Sequence, residues 1–457
     1  MSVDSFKFAM ADAIACLNPD HWDRIVAGAA RFLSRDYLEL LEQNRPDNLS
    51  THYAIVSSGD RPVAAVVAQS LDIRAVALPS RSMPESQPGF WHSVGEASLR
   101  SLERARKQVL LYDNLLLWPS HEQGEVGGEG ESEELWPEVA SDLWHRSRHL
   151  FLAAERLAER SMGWVHLRFL VCGSLLATGP HGVAFAAGED QAKLWPAVIE
   201  ALARIRKACT GSGAMDMVMF KDLTDDQQVA EPALRRAGFL RFETEPNMIL
   251  PLNPAWESFE DFTKDLKSSY RHGFRKIQAD LAACGIALER CPPRQVAAEA
   301  AAIHRLYHQV HERQSLRLTT ITERWIPALA EAYPEDFRTI VARPEKGGEI
   351  LGFVTVIRDG ENAYGAHIGF DKAQAARGIP LYLSLVHSGI AQAIELKVSR
   401  VILGRTALGP KADLGAKPQP MFGYLRHRSR ALNLAVPSVL ALLPAPKAPP
   451  ERHPFRL

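Results

Sequence analysis

Arg400-Val-Ile-Leu-Gly404-Arg405-Thr-Ala-Leu-Gly-Pro410-Lys411-Ala-Asp-Leu-Gly415-Ala416 is the stretch whose reading decides the fold. The apolar run after Arg400 reads as a buried strand that breaks into a loop at Gly404, and Met421 to Arg426 reads as the next strand. A strand has no packing need for a guanidinium and an ammonium at its exit. Arg405 and Lys411 therefore read either as cations held for a phosphate or carboxylate, or as members of a solvated loop. The same order of features occurs upstream. A helical stretch, Leu194 to Cys209, precedes the apolar run Met215 to Phe220, then come Lys221-Asp222, a polar helical stretch, Gly238-Phe239 and a strand from Leu240. The downstream copy is the helix Leu381 to Leu396, the strand Val401 to Leu403, Lys411, Gly415-Ala416 and the last strand. Two copies of this order point to an internal duplication, with the halves meeting between Pro251 and Trp256.

Composition sets the class. The 457 residues suit two or three domains, and 46% apolar with 23% charged residues is ordinary for a soluble globular chain. A formal net charge of −1 excludes a global field that recruits nucleic acid or an acidic membrane. The five cysteines, odd in number and without a Cys-x-x-Cys pair, fit a reduced, cytoplasmic protein. Met1 to Leu17 mixes Asp4, Lys7 and Asp12 into its apolar residues and lacks a signal-peptide core. No run reaches the length of a membrane span, so stable membrane insertion is not expected.

Along the chain, Tyr53–Ser57 and Arg61–Gln69 flank Ser58-Gly59-Asp60 as a hairpin. Ser98 to Leu117 and Asp142 to Ser161 have helical character, and His121 to Glu134, rich in Gly and Glu, reads as a mobile acidic loop. Phe259 to Ala283 carries the apolar stripe of one long amphipathic helix, with Arg271, Arg275 and Lys276 on a basic face and Gly285 as its C-terminal cap. Asp359-Gly360 joins two further strands, and Arg377-Gly378-Ile379-Pro380 opens the helix from Leu381. His304, His308 and His311 share one helix face, but Arg305 stands where a zinc-protease helix needs Glu; ordinary packing is the reading, and no metal is expected. The division is 1–250, 255–435 and a Pro-rich tail, 436–457.

The order helix, strand, helices, hairpin, strand, Gly-Pro-opened helix, strand, short helix, strand resembles the GNAT acyltransferase fold, and more narrowly its Fem-type branch of tandem GNAT proteins. The residues that carry this are Ser269 to Lys276 with Gly285-Ile286, Phe370-Asp371 through Gly378-Ile-Pro-Leu381, and Gly404 to Lys411 with Leu414-Gly-Ala416. The resemblance implies a mixed α/β (α+β) class: two tandem GNAT-like domains, each a mostly antiparallel mixed sheet flanked by helices. It implies an N-acyltransferase that moves an acyl or aminoacyl group from acyl-CoA or aminoacyl-tRNA, as a cosubstrate rather than a bound cofactor. The acceptor is an amine on a small molecule or a cell-envelope (peptidoglycan) precursor. The rival is a non-catalytic tandem-GNAT protein that binds a peptidoglycan-type or other anionic ligand.

By the same resemblance Tyr364 to Phe370 is the central strand, and Gln374, Arg377 and Gly378 lead to the donor's phosphate site, although the full Gly-x-Gly/Ala loop of acyl-CoA binders is absent. His367 reads as a base or as a structural strand histidine, and Asp371 as an acceptor-orienting group or the start of a turn. Tyr364, also a catalytic candidate, stands three residues from His367 and is expected on the opposite face. Arg275, Arg405 and Lys411 are the substrate-binding candidates, with Arg405 and Lys411 expected to be exposed. The acidic Gly188-Glu189-Asp190 at the matching place in the first half assigns that half an accessory or acceptor-binding role.

Overall fold

The computed structural model describes residues 5–74, 166–209, 215–312, 318–434, 436–441, 446 and 448–456. Everything below belongs to one compact unit, residues 1–72, 168–437 and 445–457. A second unit, 73–167 with 438–444, lies almost wholly outside the described residues, as do the expected helices of 98–117 and 142–161 and the acidic loop 121–134.

The first half begins with β1 (Phe6–Ala11), α1 (Pro19–Val26) and α2 (Arg35–Asn44), capped by Asn18 and Ser34 respectively. The hairpin β2 (Leu49–Ser58) and β3 (Arg61–Arg74) turns where the sequence indicates, with Ser58 opposite Arg61. Then come β4 (His166–Cys172), β5 (Val183–Phe185), α3 (Gln191–Ala208), β6 (Met217–Leu223), α4 (Glu231–Arg236) and β7 (Leu240–Pro251). The expected single helix of 259–283 is two: α5 (Phe259–Asp265), with a Ser258–Asp261 capping box, and α6 (Ser268–Ala283). Leu266 breaks it by turning extended and bridging Phe455, and the Lys267 amide bonds the Pro454 carbonyl; the chain's end is docked into the break. Gly285, at φ +64, closes α6 as expected.

Next follow β8 (Ile286–Cys291), α7 (Pro293–Ala298), α8 (Ala300–His311), α9 (Trp325–Ala332), β9 (Phe337–Pro344), β10 (Gly352–Asp359), β11 (Asn362–Phe370), α10 (Lys372–Ala376) and α11 (Leu381–Glu395). Then β12 (Arg400–Gly404), α12 (Leu408–Asp413) and β13 (Lys417–His427) complete the sheet and its connections.

The duplicated grammar takes physical form. In each half two strands pair in parallel, β4 with β6 and β11 with β12, and a short helix and a long strand follow. The expectation of two separate sheets is corrected, however. All strands among the described residues form one sheet in the order β1-β2-β3-β4-β6-β13-β7-β12-β11-β10-β9-β8, with β5 on β3. The long strands are exchanged: β13 lies between β6 and β7 of the first half, and β7 lies between β13 and β12. The exchange pairs β7 and β13 on both sides, so neither long strand is left as an open edge.

Helices cover both faces. α3 and α4 bury Trp195, Leu202 and Leu234 against the first half, and α5, α6 and α11 bury Phe262, Phe274 and Ile390 against the second. On the other face of the second half, α7, α8 and α9 pack with Phe32, Tyr37 and Leu41 of the first half, so one core is built from both. Arg31 locks this seam. Its amide donates to Asp359 at 2.7 Å, and its guanidinium meets Asp336, which also pairs with Arg358.

Candidate active site at the seam of the halves

β11 and β12 pair only from Asn362–Arg400 to Tyr364–Ile402 and then diverge. β11 continues to Phe370 on β10 alone among the described residues, and β12 stops at Gly404, whose φ of +78 suits glycine. The result is a wedge that opens beside the middle of β11. At that point the ladder to β10 slips. Thr355 faces His367 and Val356 faces Gly365, so Ala366 is an extra residue, a β-bulge. The bulge resets the alternation, and it corrects the expectation for Tyr364 and His367. Both now face the α8–α9 side: Tyr364 packs with Phe32 at 4.8 Å between ring centroids, and His367 lies 6.3 Å from Tyr307.

A cavity of about 150 Å³ opens at the seam. Phe32, Tyr37 and residues 175–178 of the first half form one wall, and Tyr364, Ala366 and His367 form the other. His367 is 9% exposed, and burial pushes its imidazole down to about 4, so it is neutral at physiological pH. Its Nδ1 lies 3.2 Å from the Thr355 hydroxyl, which also accepts the His367 amide at 3.0 Å, while Nε2 has no partner. Gly369 lets α8 approach this strand; a Cβ there would come within 2.6 Å of the Leu306 and Tyr307 backbone.

The end of the cavity nearest the sheet centre is charged. Asp222, wholly buried and at the left-handed φ of +60, accepts Arg405 at 3.0 Å, the Gly179 amide at 3.0 Å and the Lys221 ammonium. Lys221 also donates to the Ala177 carbonyl at 3.1 Å. Burial opposes the Asp222 charge, but Lys221, Arg405 and the Gly179 amide outweigh it and hold the carboxyl below its usual range. Burial also pushes His181 down to about 4, with Lys221 adding to the effect. His181 packs on Phe32 with ring centroids 4.3 Å apart and the planes tilted by 38°, and donates Nε2–H to the Thr178 carbonyl.

The other sequence candidates lie elsewhere or differ in setting. Arg405 is paired rather than free, and Lys411 is buried on α12, 5% exposed, with its ammonium on the Gly404 carbonyl at 3.2 Å. The expected exposure of these two cations is corrected: the break at Gly404 folds the loop inward over the wedge. Asp371 caps α10, accepting the amides of Ala373 and Gln374 at 2.8 and 3.1 Å, and does not line the cavity. Gln374 lies within α10, Arg377 and Gly378 open the α10–α11 connection, with Gly378 at φ +92 and open space around it, and Arg275 is exposed on α6.

Phe32, Tyr37, His181, Thr355 and the Lys221-Asp222 pair were missed as site residues. The pair's place in the repeated grammar was the one signal for it, since it occupies in the first half the strand exit that Arg405 follows in the second. Among the described residues no cluster of His, Cys, Asp or Glu is set to hold a metal, and His304 bonds the Ile321 carbonyl instead. No helix among them is long and apolar enough to cross a membrane.

No curated protein matches the chain. Among solved structures, FemX shares 9% identity over 94% of this chain and 99% of its own, with a TM-score of 0.48. A tandem GNAT protein from the clavulanic acid biosynthesis pathway shares 10% over 93% and 99%, at 0.44, and L-PGS from Bacillus licheniformis shares 12% over 60% and 83%, at 0.39. A family model, the acetyltransferase (GNAT) domain, matches residues 268–412, a span that holds β11, the wedge and Lys411. Over this span the second half is similar to the acetyltransferase (GNAT) domain.

Proposed function

We propose that the protein is an N-acyltransferase that works at the seam cavity, with His367 as the base. The supporting observation is His367 itself: a buried, neutral imidazole that lines the cavity beside the β11–β12 wedge and whose Nε2, buried with the ring, has no partner. For Nε2 to accept a proton, Nδ1 carries one and donates it to Thr355, whose hydroxyl then donates to the His367 carbonyl at 3.5 Å. The acceptor amine attacks the donor carbonyl, an N–C bond forms, and the C–S bond of a CoA thioester or the C–O bond of an aminoacyl-tRNA breaks. The proton goes to His367, from a nitrogen made strongly acidic by the new bond, and the leaving thiolate or alkoxide is reprotonated by solvent. Backbone amides of β11 past Tyr364 are free of β12 and suited to the developing oxyanion.

The donor's phosphates belong at the α10–α11 connection, where Gln374, Arg377 and the open Gly378 precede the start of α11, with Arg275 of α6 assisting. The acceptor enters the seam cavity amine first, and an amino group of a cell-envelope precursor is one such acceptor. The test is release of free thiol from acetyl-CoA, and of tRNA from aminoacyl-tRNA, across an amine panel. His367→Gln should lower turnover by about 10²- to 10⁴-fold with the melting temperature retained. Turnover equal to wild type removes His367 from the mechanism, and saturable ligand binding with no transfer to any amine marks a binding protein.

A further inference from the structure

We infer that the charged end of the seam cavity is a carboxylate subsite, in which Lys221 of the first half and Arg405 of the second hold the acid group of a small amino carboxylate acceptor. This narrows the acceptor class of the reading above and rests on it only for the amine. Three observations carry it. The two cations line the cavity while the one carboxylate that they share, Asp222, sits behind them, fully buried, so the lining presents one positive charge in excess. The donors are partly spent. Lys221 gives two hydrogens, to Asp222 and to Ala177, and Arg405 gives one N–H to Asp222, which leaves ammonium and guanidinium hydrogens for a bidentate anion.

The template is also rigid. Asp222 holds a left-handed backbone that a non-glycine residue adopts only under constraint, and it fixes the 177–181 loop through the Gly179 amide. A cavity of about 150 Å³ admits roughly the volume of benzene, so the ligand has about six heavy atoms. Aromatic walls from Phe32, Tyr37 and Tyr364 exclude water and strengthen the charge contact. His181 is held neutral by burial and adds no third cation. A six-atom ligand with an acid group at Lys221–Arg405 and an amine toward His367 is a short amino acid.

The experiment uses the full chain and two pairs of probes. Propionate and propionamide, with no donor present, test the subsite alone by calorimetric titration. Propionate should bind at least ten-fold more tightly than the amide; Arg405→Gln should abolish the difference, and Asp222→Asn, which removes the shared counter-charge, should tighten propionate further. Equal binding of acid and amide, or a preference unchanged in Arg405→Gln, overturns the inference. Should Arg405→Gln or Asp222→Asn fail to fold, Lys221→Met with its preference retained overturns it equally. β-Alanine and β-alaninamide with acetyl-CoA then test transfer, with the acid expected to turn over at least ten-fold faster. Propionate binding with no transfer to any amine of the panel from either donor would refute the transferase reading and leave the subsite standing.

Discussion

Replacing Lys411 with methionine should make the protein more stable at neutral pH. The Lys411 side chain is 5% exposed, and its ammonium has the Gly404 carbonyl at 3.2 Å. Burial pushes its pKa from 10.5 down to about 8, opposed only in part by Glu245. That fall corresponds to roughly 3 kcal/mol of penalty on the charged form. The sign follows from where the proton sits. The folded value lies below the unfolded one, so between about 8 and 10.5 the unfolded chain holds a proton that the folded chain has lost. Stability therefore rises with pH across that window and carries the full penalty below it. Methionine has similar length and no charge, and the lost hydrogen bond returns about 1 kcal/mol. The net gain at pH 7 should be ~1–2 kcal/mol. Urea unfolding of both proteins at about pH 7 and about pH 10 measures it, and the gap should close at the higher pH as the wild type gains stability. A variant less stable at pH 7, or a gap that ignores pH, refutes the reasoning. Acyl transfer measured beside it should fall if the sequence assignment of Lys411 to substrate is right.

Three further outcomes follow from the same geometry. His181, His367 and His387 are each pushed down to about 4 by burial, below the unfolded 6.5, so the stability that they hold as neutral groups is present above about pH 6.5 and lost as pH falls toward 4. The slope of urea stability against pH in that window should shrink by about one proton in His367→Gln, and an unchanged slope contradicts the assignment. Gly378→Asp and Gly188→Asp place the same residue at positive φ in open space, so both should cost ~1 kcal/mol, yet only Gly378→Asp should weaken acetyl-CoA binding, by ten-fold or more. Asp371→Ala should cost ~1 kcal/mol through the lost α10 cap, read by thermal unfolding; unaltered stability contradicts the capping role.

Much of this was legible because it is local. The hairpin at Ser58–Arg61, the glycine at the end of α6 and the repeated strand-exit grammar are written in neighbouring residues, and each appears where it was expected. What failed depends on partners far along the chain. Period-two counting puts Tyr364 and His367 on opposite faces, because a bulge at Ala366 is set by the register with Thr355–Val356 and not by its own residue type. Arg405 reads as free because its carboxylate is Asp222, 183 residues away. Thr355, Phe32 and Tyr37 carry no motif at all; their meaning arises only when the halves share a core.

The exchange of β7 and β13 sets an order on biosynthesis. β6 pairs with β4 on one side but finds its other neighbour only in β13, so contacts such as Arg428 with Asp216 span 212 residues. As the ribosome delivers the chain, the first half comes out with Val218 and Phe220 on a strand whose next partner has not been made. At 5–20 residues per second, that edge waits on the order of ten seconds or more for its partner. The protein cannot fold one half at a time, and a truncation that removes β13 leaves both halves, not one, without a finished sheet. Long waits with an open apolar edge are the conditions under which chains aggregate or engage chaperones. Expression yield, more than catalysis, is where lesions in β13 will first be felt.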